Sequence, residues 1–305
     1  MAKCDVLIDG HHLAHRVAHV FQSLHTSSFE SVGLIYGFLQ TLFRLKQRFK
    51  NRDCELFVFW DSRPLVKISI YPKYKAQRVK KDVTLFYSQL SKLRKVLVAL
   101  GIVQIQVEQE EADDLISSYI CQKSDGIKKF IVLTADRDYL QLVSPTCTML
   151  KPKMGKHPEI FYTSAKVLEE FGLNPEAIVF LKVFCGDSSD NIPGVSRLPK
   201  KQMVKILNEV ELDSILTIDH IYAQLDSFDF LTKNQRLKIK DFQERAYRNY
   251  ELIKLKEHLY ISFEKVFFDA LALKEHFVRL EFTSFLKSFS DWLKLFESQH
   301  APVRC

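Results

Sequence analysis

Cys4-Asp5-Val6-Leu7-Ile8-Asp9 is a short apolar run that ends on a carboxylate and a glycine, Asp9-Gly10. It reads as a strand, and three further runs repeat its form. These are Glu55–Trp60 (E-L-F-V-F-W), Ile102–Val107 (I-V-Q-I-Q-V) and Phe130–Thr134 (F-I-V-L-T). Between them lie stretches with helical periodicity: Ser31–Phe49, Leu90–Leu100 closed by Gly101, and Glu110–Cys121. Strands that alternate with helices predict an α/β fold, a central mainly parallel sheet with flanking helices. Beyond about Ser164 the pattern is mainly helical, and no internal repeat is present.

Composition is consistent with this. The 305 residues allow about two domains, or one large one with elaborations. Hydrophobic residues make up 47%, enough for an ordinary core, which excludes disordered and low-complexity classes. There is no run of about 18 apolar residues and no signal-peptide core at the N-terminus, so no membrane span or export is expected. Six scattered cysteines without a C-x-x-C read as thiols in a reducing cytoplasm.

The net charge of +7 is unevenly spread. Between Arg63 and Lys95 stand ten basic residues and one acid, interleaved with Tyr71, Tyr74, Phe86 and Tyr87. A charge run is commonly just a solvated face. Positive charge mixed with aromatics also suits a polyanion with stackable bases.

Every predicted strand has a carboxylate at or just past its C-terminal end. Asp9 closes the first and Asp61 follows the second. Glu108, Glu110, Glu111, Asp113 and Asp114 follow the third, and Asp136 and Asp138 the fourth. In an open parallel sheet those ends share one edge, where ligands bind, so these acids are expected to converge. Each has an ordinary reading by itself, as a turn residue or as an acid favoured at a helix N-terminus. Four coincidences on one edge weigh against that. Crowded carboxylates either take up protons or gather cations. Oxygen ligands without His or Cys select hard ions, Mg²⁺ or Mn²⁺, and this many suggest two. His11 and His12 read as packing or supporting residues. A further acidic turn, Gly186-Asp187-Ser188-Ser189-Asp190-Asn191-Ile192-Pro193-Gly194-Val195, follows the apolar helix Ala177–Cys185.

Asp5–Arg16, Tyr74–Arg78, Glu111–Asp114, Leu133–Asp138 and Gly186–Val195, in this order, resemble the 5′ nuclease / flap endonuclease family. That family comprises the 5′→3′ exonuclease domain of bacterial DNA polymerase I and stand-alone bacterial or phage relatives. The resemblance covers roughly residues 4–260. It implies a structure-specific 5′ nuclease acting on DNA with a 5′ single-stranded end or flap, or on RNA–DNA hybrids. The products would be a 5′-phosphate and a 3′-hydroxyl. By the same resemblance Asp9, Asp61, Glu111 and Asp113, supported by Asp114, hold a first ion. Asp136, Asp138, Asp187 and Asp190 hold a second. Lys75, Arg78 and Arg16 serve catalysis, and Tyr74 stacks on a base. Lys80 and Lys81 lie in a helical arch, about residues 64–95, that guides the single strand. The implied division is a nuclease core over 1–163, a duplex-binding part over 164–260 and a helical extension over 261–305. The setting would be the cytoplasm of a bacterium or a phage-infected one.

One departure stands out. Where the family carries a Gly-Ile-Gly-type hairpin that binds K⁺ and grips the duplex, this chain has Ser196-Arg197-Leu198-Pro199. Without the glycines the amides cannot approach a phosphate as closely, which argues against the K⁺ site. Lys200, Lys201 and Lys205 would then hold the duplex by charge. The Phe-rich tail reads as core; the competing reading is a dock for a single-strand-binding protein or a clamp. Three other functions compete with the nuclease. A non-catalytic branched-DNA module would be expected to have lost acids, and none is lost. A PIN-type ribonuclease lacks the arch and the Gly186–Val195 motif. A phosphatase wants a second Asp two residues after Asp9, where His11 stands.

Overall fold

A computed structural model describes residues 4–52, 54–78, 83–153, 156, 158–210 and 216–297. In chain order the elements begin β1 (Cys4–Asp9), α1 (Gly10–Val20), α2 (Gly33–Arg48), β2 (Cys54–Phe59), α3 (Leu65–Ile70) and α4 (Thr84–Ala99). Then come β3 (Val103–Ile105), α5 (Ala112–Lys123), β4 (Lys129–Leu133), β5 (Cys147–Lys151) and β6 (Ile160–Tyr162). After α6 (Ser164–Phe171) and α7 (Ile178–Cys185) a two-residue ladder joins β7 (Gly186–Asp187) to β8 (Ile192–Pro193). Helices α8 (Lys200–Glu209), α9 (Ile218–Ala223), α10 (Lys233–Lys240) and α11 (Gln243–Ile253) follow. The last are α12 (Ala270–Arg279), α13 (Thr283–Lys287) and α14 (Phe289–Phe296).

The chain divides into two compact units. The first comprises Met1–Arg63, Lys80–Ala135 and Glu257–Cys305; the second comprises Pro64–Val79 and Asp136–Lys256.

In the first unit β1 is flanked by β2 and β4, and β2 by β3, all parallel. Val6, Leu7 and Ile8 are fully buried, because a parallel strand covered on both faces needs a continuous apolar run rather than an alternating one. Alternation along β2 shows both covers. Phe57 and Phe59 meet Tyr119 of α5 at 5.1 and 5.6 Å between ring centres. Trp60, one residue on and facing the other way, stacks near Phe38 of α2 at 5.9 Å. The register pairs Asp9 with Phe59, Phe59 with Ile105 and Ile8 with Leu133, so these strands end together.

The later part of the Phe-rich tail is core, with Phe277, Phe282 and Phe285 buried, whereas Phe263 and Phe267 are exposed. Trp292 and Phe296 are fully buried, and Trp292 lies 4.7 Å from Phe43 of α2 and 5.1 Å from Phe277. The stretch read as an arch is partly core as well. From Gln89 onward α4 buries Leu90, Leu93, Val96 and Leu97, and Arg94 donates to Gln106 at 2.8 Å. Val79–Asp82, with Lys80 and Lys81, lie outside the described residues.

In the second unit β5 and β6 form an antiparallel pair that hydrophobic periodicity does not predict. Its core is α7, with Val179, Phe180, Leu181, Val183 and Phe184 buried. Phe180 stacks on Tyr250 of α11 at 5.5 Å. Among the described residues no helix is long and apolar enough to cross a membrane.

Candidate functional site

The first unit carries one group of acids at the C-terminal ends of its strands. Asp9 ends β1 and caps α1, accepting from the His12 N–H at 3.0 Å. The approach of α1 to β2 is close: a Cβ on Gly10 would stand 2.4 Å from the Trp60 ring. Asp61, just past β2, accepts from the Ala112 N–H at 2.8 Å, at the start of α5. That helix begins with Glu111 as its cap and Asp113 and Asp114 in its first turn, where the helix dipole favours negative charge. Glu111, Asp113 and Asp114 each offer an oxygen within 4.8 Å of the others, and Asp114 is fully buried.

His11 and His12 are supports. The Asp61 N–H donates to His11 Nδ1 at 3.0 Å, so that nitrogen carries no proton. Burial pushes the His11 pKa down, more than the nearby Asp61 carboxylate raises it, and the ring is a neutral acceptor. Its 3.3 Å approach to Asp61 Oδ2 is therefore a contact rather than an ion pair. His12 Nε2 lies 3.2 Å from the Ala135 N–H, from which it accepts. Arg16, two turns along α1, is half-buried, and burial pulls its guanidinium below the usual arginine value.

The second unit carries a separate group, Asp138, Asp187 and Asp190, again with oxygens within 4.8 Å of one another. Asp136 accepts from the Asp138 N–H at 3.0 Å and caps the short helical turn Arg137–Leu142. The Asp187 and Asp190 loop is held by three devices. Gly186 leaves α7 at φ +78°, where a Cβ would meet Gly194 N at 2.5 Å, so only glycine fits. The β7–β8 ladder closes the loop. Asn249, fully buried, donates to the Val183 and Pro193 carbonyls at 3.0 and 2.9 Å.

Cations of the same unit are already in contact with these acids. Lys182 pairs with Asp138 and lies 2.6 Å from Asp187 Oδ2. Burial pushes the Asp187 carboxyl up. The Lys182 ammonium and two donors from Ser189, at 2.8 and 2.6 Å, outweigh that and hold it below the usual carboxylate range. Arg78 donates to Asp190 Oδ1 at 2.8 Å, and Lys75 Nζ stands 3.6 Å from Oδ2. The segment from Lys73 to Arg78 is stitched to the loop by backbone-directed bonds as well. The Lys75 N–H donates to the Asp190 carbonyl at 3.0 Å, and Gln77 donates to Ser188 and Ser189. Lys75 takes φ 54° and Asn191 φ 60° to make this join, a strain that such sites tolerate.

The structure alters the sequence reading at Tyr74 and adds Lys182 to it. Tyr74, expected to stack on a base, is 4% exposed and donates its hydroxyl to Asp190 at 3.1 Å, so its ring is packed and cannot receive one. Asp9, Asp61 and Asp136 belong to neither 4.8 Å group. Sequence reasoning does not single out Lys182, although its signal is visible: it is the lone charge in the apolar run Ile178–Cys185.

Lys200, Lys201 and Lys205 are exposed on α8. The turn before α8 places Arg197 at φ 59°, the conformation a glycine would favour. Both acid groups fit a hard divalent ion, because each offers three oxygens and neither contains His or Cys.

Residues 5–172 match the family described as 5′-3′ exonuclease, N-terminal resolvase-like domain. Residues 173–275 match 5′-3′ exonuclease, C-terminal SAM fold. The thermostable DNA polymerase I of Thermus aquaticus is 31% identical over 288 residues, 93% of this chain and 33% of that protein. The chain thus spans about a third of that relative's length. A 5′-3′ exonuclease of Buchnera aphidicola is 26% identical over 94% of this chain and 97% of its own. The fold also matches the bacteriophage T5 flap endonuclease solved with DNA and metal ions, at TM-score 0.64 and 17% identity, covering 96% of this chain and 99% of that one.

Proposed function

The chain belongs to the 5′-3′ exonuclease family, and on that basis we propose that it is a divalent-metal-dependent, structure-specific 5′ nuclease. It would hydrolyse DNA phosphodiesters as a 5′→3′ exonuclease and flap endonuclease, leaving a 5′-phosphate and a 3′-hydroxyl. One observation supports this above the others: an all-oxygen acid group whose Asp190 is already held by the two cations suited to a phosphate, Lys75 and Arg78.

Glu111, Asp113 and Asp114, with Asp9 and Asp61 beside them in the same unit, would hold one Mg²⁺. Asp138, Asp187 and Asp190, with Asp136 adjoining, would hold a second. Such ions supply an activated water and stabilise the leaving oxygen. The chain's own residues do the rest. Arg78 is 59% exposed at its side chain and presents a planar fork that matches a phosphate. Lys75 adds a point charge next to it. Tyr74 holds Asp190 rather than a base. His11 and His12 accept from backbone N–H groups, which fixes the turns that carry Asp61 and Ala135. Arg16 serves as a further cation of the first unit. Lys200, Lys201 and Lys205 would hold the duplex.

The substrate is DNA with a 5′ single-stranded end or flap, and RNA–DNA hybrids are a second candidate. Incubation of the chain with a 5′-flap duplex, a nicked duplex and an RNA–DNA hybrid tests this, with Mg²⁺ and with chelator. Metal-dependent cleavage near the flap junction is the expected result. Tight binding without cleavage in any metal would mean a non-catalytic branched-DNA module instead.

A further inference from the structure

Lys182 contacts one oxygen on each of two acids in the second group. Its ammonium pairs with Asp138 Oδ1 and lies 2.6 Å from Asp187 Oδ2. Both acids belong to the group assigned above to the second ion, and the inference rests on that assignment. The placement is built rather than incidental. Lys182 is the only charged residue of α7, its neighbours Leu181 and Val183 are buried, and Gly186 and Asn249 fix the loop that returns Asp187 to it. The carboxylates are nearly buried, at 15% and 7% side-chain exposure. A like charge so close, and so little screened by water, cannot share those oxygens with a divalent ion.

We propose that Lys182 is an internal counter-ion that competes with the divalent ion for Asp138 and Asp187. In the metal-free chain it neutralises the pair and keeps it folded. For the ion to bind, its side chain must leave. The exit exists: Lys182 is 19% exposed at its side chain and has a flexible four-carbon stem. Lys182 is thus a positioning residue that sets the ion concentration at which this group fills. Lys75 and Arg78 do the equivalent at Asp190, so three side-chain cations face three carboxylates. The group is poised near neutrality and would bind an ion weakly until these cations are drawn elsewhere.

The test uses the full chain without DNA. Binding of Mn²⁺ is followed by electron paramagnetic resonance of the free ion. Lys182→Met should tighten the weaker Mn²⁺ binding about ten-fold or more, because a competing unit charge is removed. Lys182→Arg should leave it near wild type, and Asp187→Asn should abolish it. If Asp187→Asn removes that binding but Lys182→Met fails to tighten it, the counter-ion inference is wrong and the ion assignment stands. If Asp187→Asn changes nothing, the ion assignment itself is wrong. Should Lys182→Met not fold, the wild type still decides. Acetylation of Lys182 by acetic anhydride, mapped by mass spectrometry, should rise when Mn²⁺ is added. Labelling that stays level or falls overturns the proposal.

Discussion

Arg78 and Asp190, 112 positions apart in the chain, meet at 2.8 Å. The contact joins a mostly exposed guanidinium to a carboxylate that is 10% exposed at its side chain. Only the acid is held by the fold; the arginine can leave for a better anion. A phosphate with two free oxygens is such an anion. Arg78→Ala and Lys75→Ala should each lower single-turnover cleavage of a 5′ flap by about 10²–10³, the usual loss when a donor to developing charge is removed. Flap affinity should change far less. A rise in KM with unchanged turnover would show that these residues bind and do not catalyse.

Removal of the ions is the second check. Chelator should stop cleavage, and Mg²⁺ should restore it. Asp113→Asn and Asp187→Asn alter one group each, and each should reduce turnover by about 10² or more while flap binding persists. Gel-shift and quenched-flow measurements separate the two effects. Wild-type rates in both variants would refute the assignment of the acids.

Lys200 and Lys201 open α8, where Pro199 makes no side-chain cap. Cations at the positive end of a helix dipole are unfavourable, which offsets the contact of the Lys200 ammonium with the Phe171 ring at 5.4 Å. Replacing both by Ala should change the unfolding free energy by less than about 1 kcal/mol, because the two effects oppose each other. Duplex affinity should fall, and the log–log salt slope should shrink by about 2, one for each phosphate that is no longer neutralised. An unchanged slope, measured by fluorescence anisotropy, removes them from the interface.

Arg197 stands at φ 59°, where a side chain crowds the backbone. Arg197→Gly relieves that crowding by about 1 kcal/mol, less the extra entropy of glycine in the unfolded chain. A small net gain in urea unfolding is expected. A clear loss would mean that the arginine side chain contributes more than its backbone costs.

Asp5 is buried in β1 and is held by Lys128 at 2.6 Å and by the Tyr119 hydroxyl at 2.7 Å. Lys128→Ala leaves that charge with one donor fewer and should cost about 2–3 kcal/mol, somewhat under the full penalty for breaking a buried pair because the lysine is partly exposed. Chemical denaturation measures it. A change below about 0.5 kcal/mol would place the pair with ordinary surface bridges.

Much of the fold was legible in the chain. Four apolar runs became four parallel strands, and in the first unit Asp9 ends β1 and Asp61 follows β2. The antiparallel β5–β6 pair was not legible, because β6 spans three residues and offers no period to read. Tyr74 differs from its sequence expectation for another reason. An aromatic among lysines looks like a free stacking surface until packing buries it. Lys182 is visible as a lone charge in an apolar helix, but that pattern does not show which acids the charge will meet.

By itself the sequence determined which segments are strands and helices, since hydrophobic period acts over a few neighbouring residues. It also showed the chemical type of the candidate ligands, carboxylates without His or Cys, a set that favours hard ions. The tertiary structure alone decided which acid meets which cation. Arg78 reaches Asp190, and Lys182 reaches Asp138 and Asp187, because of the turn at Gly186 and the clamp at Asn249. Electrostatic pairing depends on distance through space, and no local pattern in the chain encodes that distance.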